Sequence, residues 1–358
     1  MSRLAPADEQ VTALVRAAAA APSMHNAQPW LFSYFRRNRT FEIRADLERT
    51  MPHSDPDTRG LHIGCGAALL NLRVAVAHEG WCPETLLLPD PTDPALVATV
   101  RLTGSTTDES DLGALYPAIH RRHSSRYPFE EREIPGPVRE ALGAAALAEG
   151  ATLAFPTPWH LQEVLELVQD AEARNITDPG SDQDLARWTR TDAPSAGTAD
   201  DGVPHYAFGP RKRGGKAPMR DFAASRRVAG RDAADFERTP QLALLSTSHD
   251  HPEDWLRAGQ AVERVLLLAT LEGLSGSFAA QPLEWTDLRW PLRDPVSGTG
   301  CTQMLLRLGY GPKGPGTPRR PVSDVLDIRP RGNSAGRRSA SHAVTGLFRS
   351  RPGPLTRR

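Results

Sequence analysis

"APSMHNAQPW", residues 21–30, is the stretch on which the reading of this chain turns. Before it, "DEQVTALVRAAAAA" at 8–21 sets Val11, Leu14, Val15 and Ala18 on one face, the spacing of an amphipathic helix, and Pro22 stops that helix. After it, "LFSYFR" and "TFEIRAD" read as two strands. The stretch is therefore a helix-to-strand junction, crowded with Ser23, His25, Asn26 and Gln28. Serine and asparagine commonly cap helices and turn chains. The same polar groups could instead face a ligand.

Working outward, a long helix is expected from about Thr58 to Glu79, with strands at "TLLL" and "LVATVRL". A second unit begins near Ile134 and repeats the order: "VREALGAAALAEG" as helix, "ATLAF" as strand, "HLQEVLELVQDAEA" as helix. Gly66, Ala68, Leu72, Glu79 and Gly80 are matched in register by Gly259, Ala261, Val265, Glu272 and Gly273, so the expectation is an internal duplication. Val11 to Gly66 spans 55 positions and Val138 to Gly259 spans 121, so the second copy carries 66 more. The excess falls between about Arg174 and Arg238, rich in Gly, Pro, Asp and Arg. A loop that long is a lid, a binding arm or disorder, and a lid is favoured. The expected organisation is a first half over 1–110, a second over 111–330 with the insertion at about 174–238, and a disordered basic tail over 331–358.

Composition narrows the classes. Lys plus Arg and Asp plus Glu both number 43, so no whole-molecule field draws the chain to nucleic acid or an acidic surface. Cys65, Cys82 and Cys301 form neither a CxxC pair nor an even disulfide framework, which fits a reducing cytosol. No apolar run approaches the ~20 residues of a membrane helix, and no leader pattern opens the chain. "GCGAAL" at 64–69 begins like a dinucleotide fingerprint but lacks its third glycine, and reads as helix packing. No G-x-S-x-G elbow supports a hydrolase built on Ser23 and His25. "HDH" at 249–251 lacks a further ligand at metal-binding spacing and reads as a turn.

Four segments carry a resemblance. "PSMHNAQP" resembles the PSxxNxQP signature of the flavin-dependent nitroreductase family, and "RRHSSRYPF" at 121–129 resembles its R-x-S-x-R/K motif, as Arg122, Ser124 and Arg126. "QPLEW" at 281–285 looks like the family's P-x-E segment. "LGYG…TPRRPVSDVL" is similar to its closing strand and basic turn, with Pro318, Arg319 and Arg320 where K-x-R is usual. The resemblance implies an α/β (α+β) nitroreductase-like fold of two tandem halves, each a mixed, mainly antiparallel sheet packed by helices. Each half keeps one of two complementary motifs, as in the Acg-like branch, where a single chain acts as a pseudo-dimer around one FMN beneath a lid.

The resemblance also implies residue roles. Arg122, Ser124 and Arg320 would take the FMN phosphate, with Arg319 beside them, because guanidinium forks and a hydroxyl suit phosphate oxygens. Arg126 would stabilise negative charge at the N1/O2 edge of the reduced flavin. Ser23, Asn26 and Gln28 would contact the cofactor from the other half, with Pro22 and Met24 beside the ring. Pro282, Leu283 and Glu284 would pass along the ring by their backbone. No side chain is needed as acid or base. The implied activity is reduction of quinones, nitroaromatics or other small electrophiles with electrons from NAD(P)H in a ping-pong exchange; the alternative is a protein that stores or sequesters FMN.

Overall fold

The structure, a computed structural model, describes residues 5–104, 110–190, 200–223, 228, 230–293 and 300–330. The expected tail lies outside the described residues. The chain opens with α1 (Asp8–Ala19), β1 (Trp30–Phe35), β2 (Thr40–Ala45), the long α2 (Arg59–His78), β3 (Cys82–Leu87), β4 (Leu96–Thr103) and the short α3 (Ser110–Gly113) and α4 (Tyr116–Ile119). Next come α5 (Gly136–Leu147), β5 (Thr152–Ala154), α6 (Pro158–Thr177) and α7 (Pro179–Arg187). Two small parallel pairs follow, β6 (Thr189–Arg190) with β7 (Val203–Pro204) and β8 (Arg211–Gly214) with β9 (Ala233–Asp235). The described order ends with β10 (Gln241–Thr247), α8 (Pro252–Leu271), β11 (Ser275–Phe278), α9 (Thr286–Arg289), β12 (Cys301–Gly309), α10 (Val322–Val325) and β13 (Leu326–Arg329).

Two main sheets result. One runs β13-β1-β2-β4-β3, antiparallel except where β13 lies parallel to β1; the other runs β11-β12-β10-β5, antiparallel throughout. The expected class, mainly antiparallel mixed sheets packed by helices, is the observed one. β13, the last described strand, completes the sheet of the N-terminal strands, pairing Phe32 with Leu326 and Tyr34 with Ile328. Trp30, Phe32, Tyr34, Phe41 and Ile43 are buried between that sheet and the apolar faces of α1 and α2. Ala243, Leu245, Leu306 and Leu308 play the same part against α5 and α8.

α2 and α8 cross at the centre, and two glycines make the crossing close. A Cβ on Gly66 would stand 2.3 Å from the Leu256 carbonyl oxygen, and one on Gly259 would stand 2.1 Å from that of Ile63. The contact is reciprocal, since Ile63 precedes Gly66 as Leu256 precedes Gly259. Both helices are 20 residues long, and Gly80 and Gly273 end them at φ 77° and 76°. "GCGAAL" is thus helix packing. α2 also corrects one expectation: among the described residues it is long and apolar enough to span a bilayer by length and composition. Its apolar residues are buried because it lies between a sheet and a second helix.

Candidate functional site

Pro22 ends α1, and the chain then makes a single 3-10 turn over Met24–Asn26. His25, Asn26 and Gln28 have φ of 48°, 58° and 54°, a left-handed conformation that side chains rarely adopt. Hydrogen bonds hold it. The Gln28 amide donates to Ser23 Oγ at 2.9 Å, and Asn26 Nδ2 donates to the carbonyls of Gly202 at 2.9 Å and Pro318 at 3.1 Å. Asn26 Oδ1 accepts from Arg319 Nη1 at 2.9 Å.

This turn forms one wall of a cleft whose space between atoms, its open mouth included, is about 1330 Å³. Pro22, Ser23, Met24 and Asn26 line it from the first motif; Arg122, Ser124 and Arg126 from the second; Glu284 and Arg319 from the third and fourth. Four segments up to about 300 residues apart thus meet in one space. Gln28, Pro282, Leu283 and Arg320 do not line it. Gln28 is fully buried, donating to the Asp200 carbonyl at 2.7 Å and accepting from the Arg320 amide at 2.9 Å. Arg320 turns away to Asp46, 3.2 Å distant, because a carboxylate is there to neutralise it. Pro282 and Leu283 are buried in the turn beneath Glu284.

No family model matches the chain. A Mycobacterium tuberculosis H37Rv protein provisionally named an NAD(P)H nitroreductase is 32% identical over 327 residues, 90% of this chain and 92% of that one. The chain belongs to the nitroreductase family. A second M. tuberculosis protein, acg, also provisionally named an NAD(P)H nitroreductase, is 27% identical over 326 residues, 89% of this chain and 96% of its own. Among solved structures, a nitroreductase with bound FMN from Bacteroides fragilis is similar at 14% identity and a TM-score of 0.34, covering 64% of this chain and 98% of that one.

The electrostatics of this nitroreductase-family cleft favour an anion. Arg59, Arg122, Arg126, Arg220 and Arg319 line it, against Asp55 and Glu284. Asp55 is spent on α2, accepting from the amides of Gly60 at 2.8 Å and Leu61 at 2.9 Å. Glu284 is spent on Arg220, with Asn175 Nδ2 donating to it at 3.2 Å. Arg126 and Arg319 have no carboxylate within ion-pair distance among the described residues. Burial lowers Arg126 to about 10, helped by Arg220, and Arg319 to about 9, helped by Arg122. Two buried guanidiniums without counter-ions are expensive in isolation. They suit a site completed by an anionic ligand.

Several lining residues have no sequence signal. Arg220 and Phe222 come from the segment between β8 and β9: Arg220 reaches Glu284 and, at 3.2 Å, His25 Nε2, while Phe222 meets the His25 ring edge-on at 5.6 Å and the Arg126 guanidinium at 4.6 Å. Arg126 Nη1 also donates to the Ala207 carbonyl at 2.8 Å. Burial, then Arg220, holds His25 well below its ordinary range, so the ring is neutral. Its Nε2 accepts from Arg220, which puts the proton on Nδ1, and buried Nδ1 has no partner among the described residues. Arg59 donates to the Gln303 carbonyl at 2.5 Å. Of the look-alikes, "HDH" is the turn into α8, where Asp250 accepts from Trp255 and Arg289; no metal-binding cluster occurs among the described residues.

Proposed function

We propose that the protein is an FMN-dependent oxidoreductase of nitroreductase type, reduced by NAD(P)H and reoxidised by a quinone, nitroaromatic or other small electrophile. The observation that carries this is the convergence of both flavin motifs on one cleft lined by five arginines, of which Arg126 and Arg319 have no carboxylate within ion-pair distance among the described residues. The donor set fits the group. Arg122, Ser124 and Arg319 would hold the phosphate, Arg319 replacing the Arg320 expected from the sequence. Arg126 supplies a fixed cation for the N1/O2 edge. His25 offers an unpartnered Nδ1–H, and Met24, Ile63 and Ala67 offer apolar surface to a planar ring. Bound FMN would supply the redox chemistry, accepting a hydride and passing electrons to the acceptor. The protein's part is to bind, orient and exclude water.

A single composite cleft, the matched glycines and the reciprocal α2–α8 crossing all support an internal duplication with one cofactor per chain. The three free cysteines fit the expected reducing compartment. A second reading, storage of FMN, is favoured by one feature: the insertion is tied across the cleft through Gly202, Ala207, Arg220 and Phe222, as a lid would be. Anaerobic mixing with NADPH and with NADH separates the two. Bleaching of the flavin absorbance at a rate that supports turnover is expected; a yellow protein that neither nucleotide bleaches is a store, and a colourless protein that takes up no FMN is neither.

A further inference from the structure

Behind the cationic end of the cleft lies a carboxylate with no assigned work. Glu263, on α8, is fully buried, and its Oε1 stands 3.3 Å from Arg122 Nε. Neither of its oxygens makes a well-formed hydrogen bond among the described residues, and nor does that Nε. Asn71 on α2 faces it closely enough to favour the carboxylate form, and its amide atoms make no other hydrogen bond among the described residues. Five buried polar atoms meet in one spot with only a loose Glu263–Asn71 contact among them, which is a poorly satisfied ion pair, whereas buried pairs that only stabilise a fold have their remaining lone pairs and protons satisfied.

The charges that face Glu263 are Arg122, from the segment after α4, and Arg319, from the C-terminal turn. Neighbouring elements keep their other charges elsewhere. Arg73 on α2 and Arg264 on α8 share Glu149 at the end of α5, Arg139 on α5 donates to Gln241, and Arg307 on β12 pairs with Glu237. His62 on α2 is bonded to the Thr58 carbonyl, and β10 and β11 carry no titratable residue. The two cations opposite Glu263 are thus the two assigned above to the phosphate, and the carboxylate and a phosphate dianion would compete for one pair of guanidiniums.

We infer that Glu263 is a positioning residue that exchanges its charge for the ligand's: as a carboxylate it balances Arg122 and Arg319 in the ligand-free cleft, and it takes up one proton from solvent when a phosphate dianion binds there. The inference rests on the FMN reading. Burial pushes the Glu263 carboxyl up to about 7, which puts the exchange near neutral pH. Burial also lowers His25, His120 and His123, so these neighbours stay neutral through the same window. A phosphomonoester is already a dianion above its second pKa of about 6.

The test is FMN affinity, read from quenching of flavin fluorescence between about pH 6.5 and about pH 8.5. Wild-type affinity is expected to fall above neutrality with a limiting slope of about tenfold per pH unit. Glu263→Gln, which mimics the protonated side chain, should bind FMN with the wild type's acid-side affinity at every pH. Calorimetry of the same titration in two buffers of different ionisation enthalpy should show proton uptake by the wild type at about pH 7.5 and none by the variant. A pH-independent wild-type affinity, or the same slope in Glu263→Gln, overturns the inference and leaves the cofactor reading standing. If the variant does not fold, absence of proton uptake by the wild type overturns it alone. No FMN binding at any pH overturns both.

Discussion

Asn26 shows what a local pattern carries and what it leaves out. The motif placed it at a ligand, and it does line the cleft, but its amide is occupied by Gly202, Pro318 and Arg319. Those partners lie 176 to 293 residues away, so nothing near Asn26 in the sequence could reveal them. Asn26→Ala should therefore loosen the insertion and the basic turn together and cost about 1–3 kcal/mol of stability in denaturant melts, because it orphans buried partners. An unchanged melt would show the amide to be idle. Arg122→Ala removes a charge-assisted phosphate contact and should weaken FMN retention by about 1–3 kcal/mol, measured by equilibrium dialysis. Glu263 adds a pH signature. Its folded value is raised from 4.5 to about 7, so its contribution to stability is complete below 4.5 and is lost as pH rises through 7. The loss is roughly 3 kcal/mol, and Glu263→Gln should abolish it in melts at acid and alkaline pH.

At the scale of elements, the first half was legible because its strands alternate and its helices carry clear apolar faces. The expected strands at "LVATVRL" and "TFEIRAD" are β4 and β2, and the helix expected at 58–79 is α2. The stretch from α7 to β9 was less so: α7 and its strand pairs are short, and long-range anchors rather than periodicity hold the segment. The placement of β13 was also beyond reach, since a four-residue strand carries no record of which sheet it joins. The glycine match was the most informative element-level signal, and its cause is the α2–α8 crossing. Gly259→Leu should cost at least about 1–3 kcal/mol through overpacking, visible as a lowered denaturation midpoint. For the insertion, Arg220→Ala leaves the buried Glu284 carboxylate without its cation. Hydrogen exchange across 200–223 should speed up and FMN release should quicken; unchanged exchange would mean that Arg220 does not fasten the segment.

At the scale of the whole molecule, the order of the motifs carried the most. The two motifs lie about a hundred residues apart in sequence, and the fold brings them to one cleft, with α2 and α8 crossing in the core between the sheets. Composition supplied only exclusions. The cleft's charge could not be read from a chain of net charge zero, because five arginines meet there only after folding. The most direct test of the single composite site is the stoichiometry of FMN binding to the purified chain, titrated to saturation and followed by flavin fluorescence. One FMN per chain, bound more weakly by Arg122→Ala at the same stoichiometry, is the expected result; two per chain, or one whose affinity Arg122→Ala leaves untouched, would contradict it.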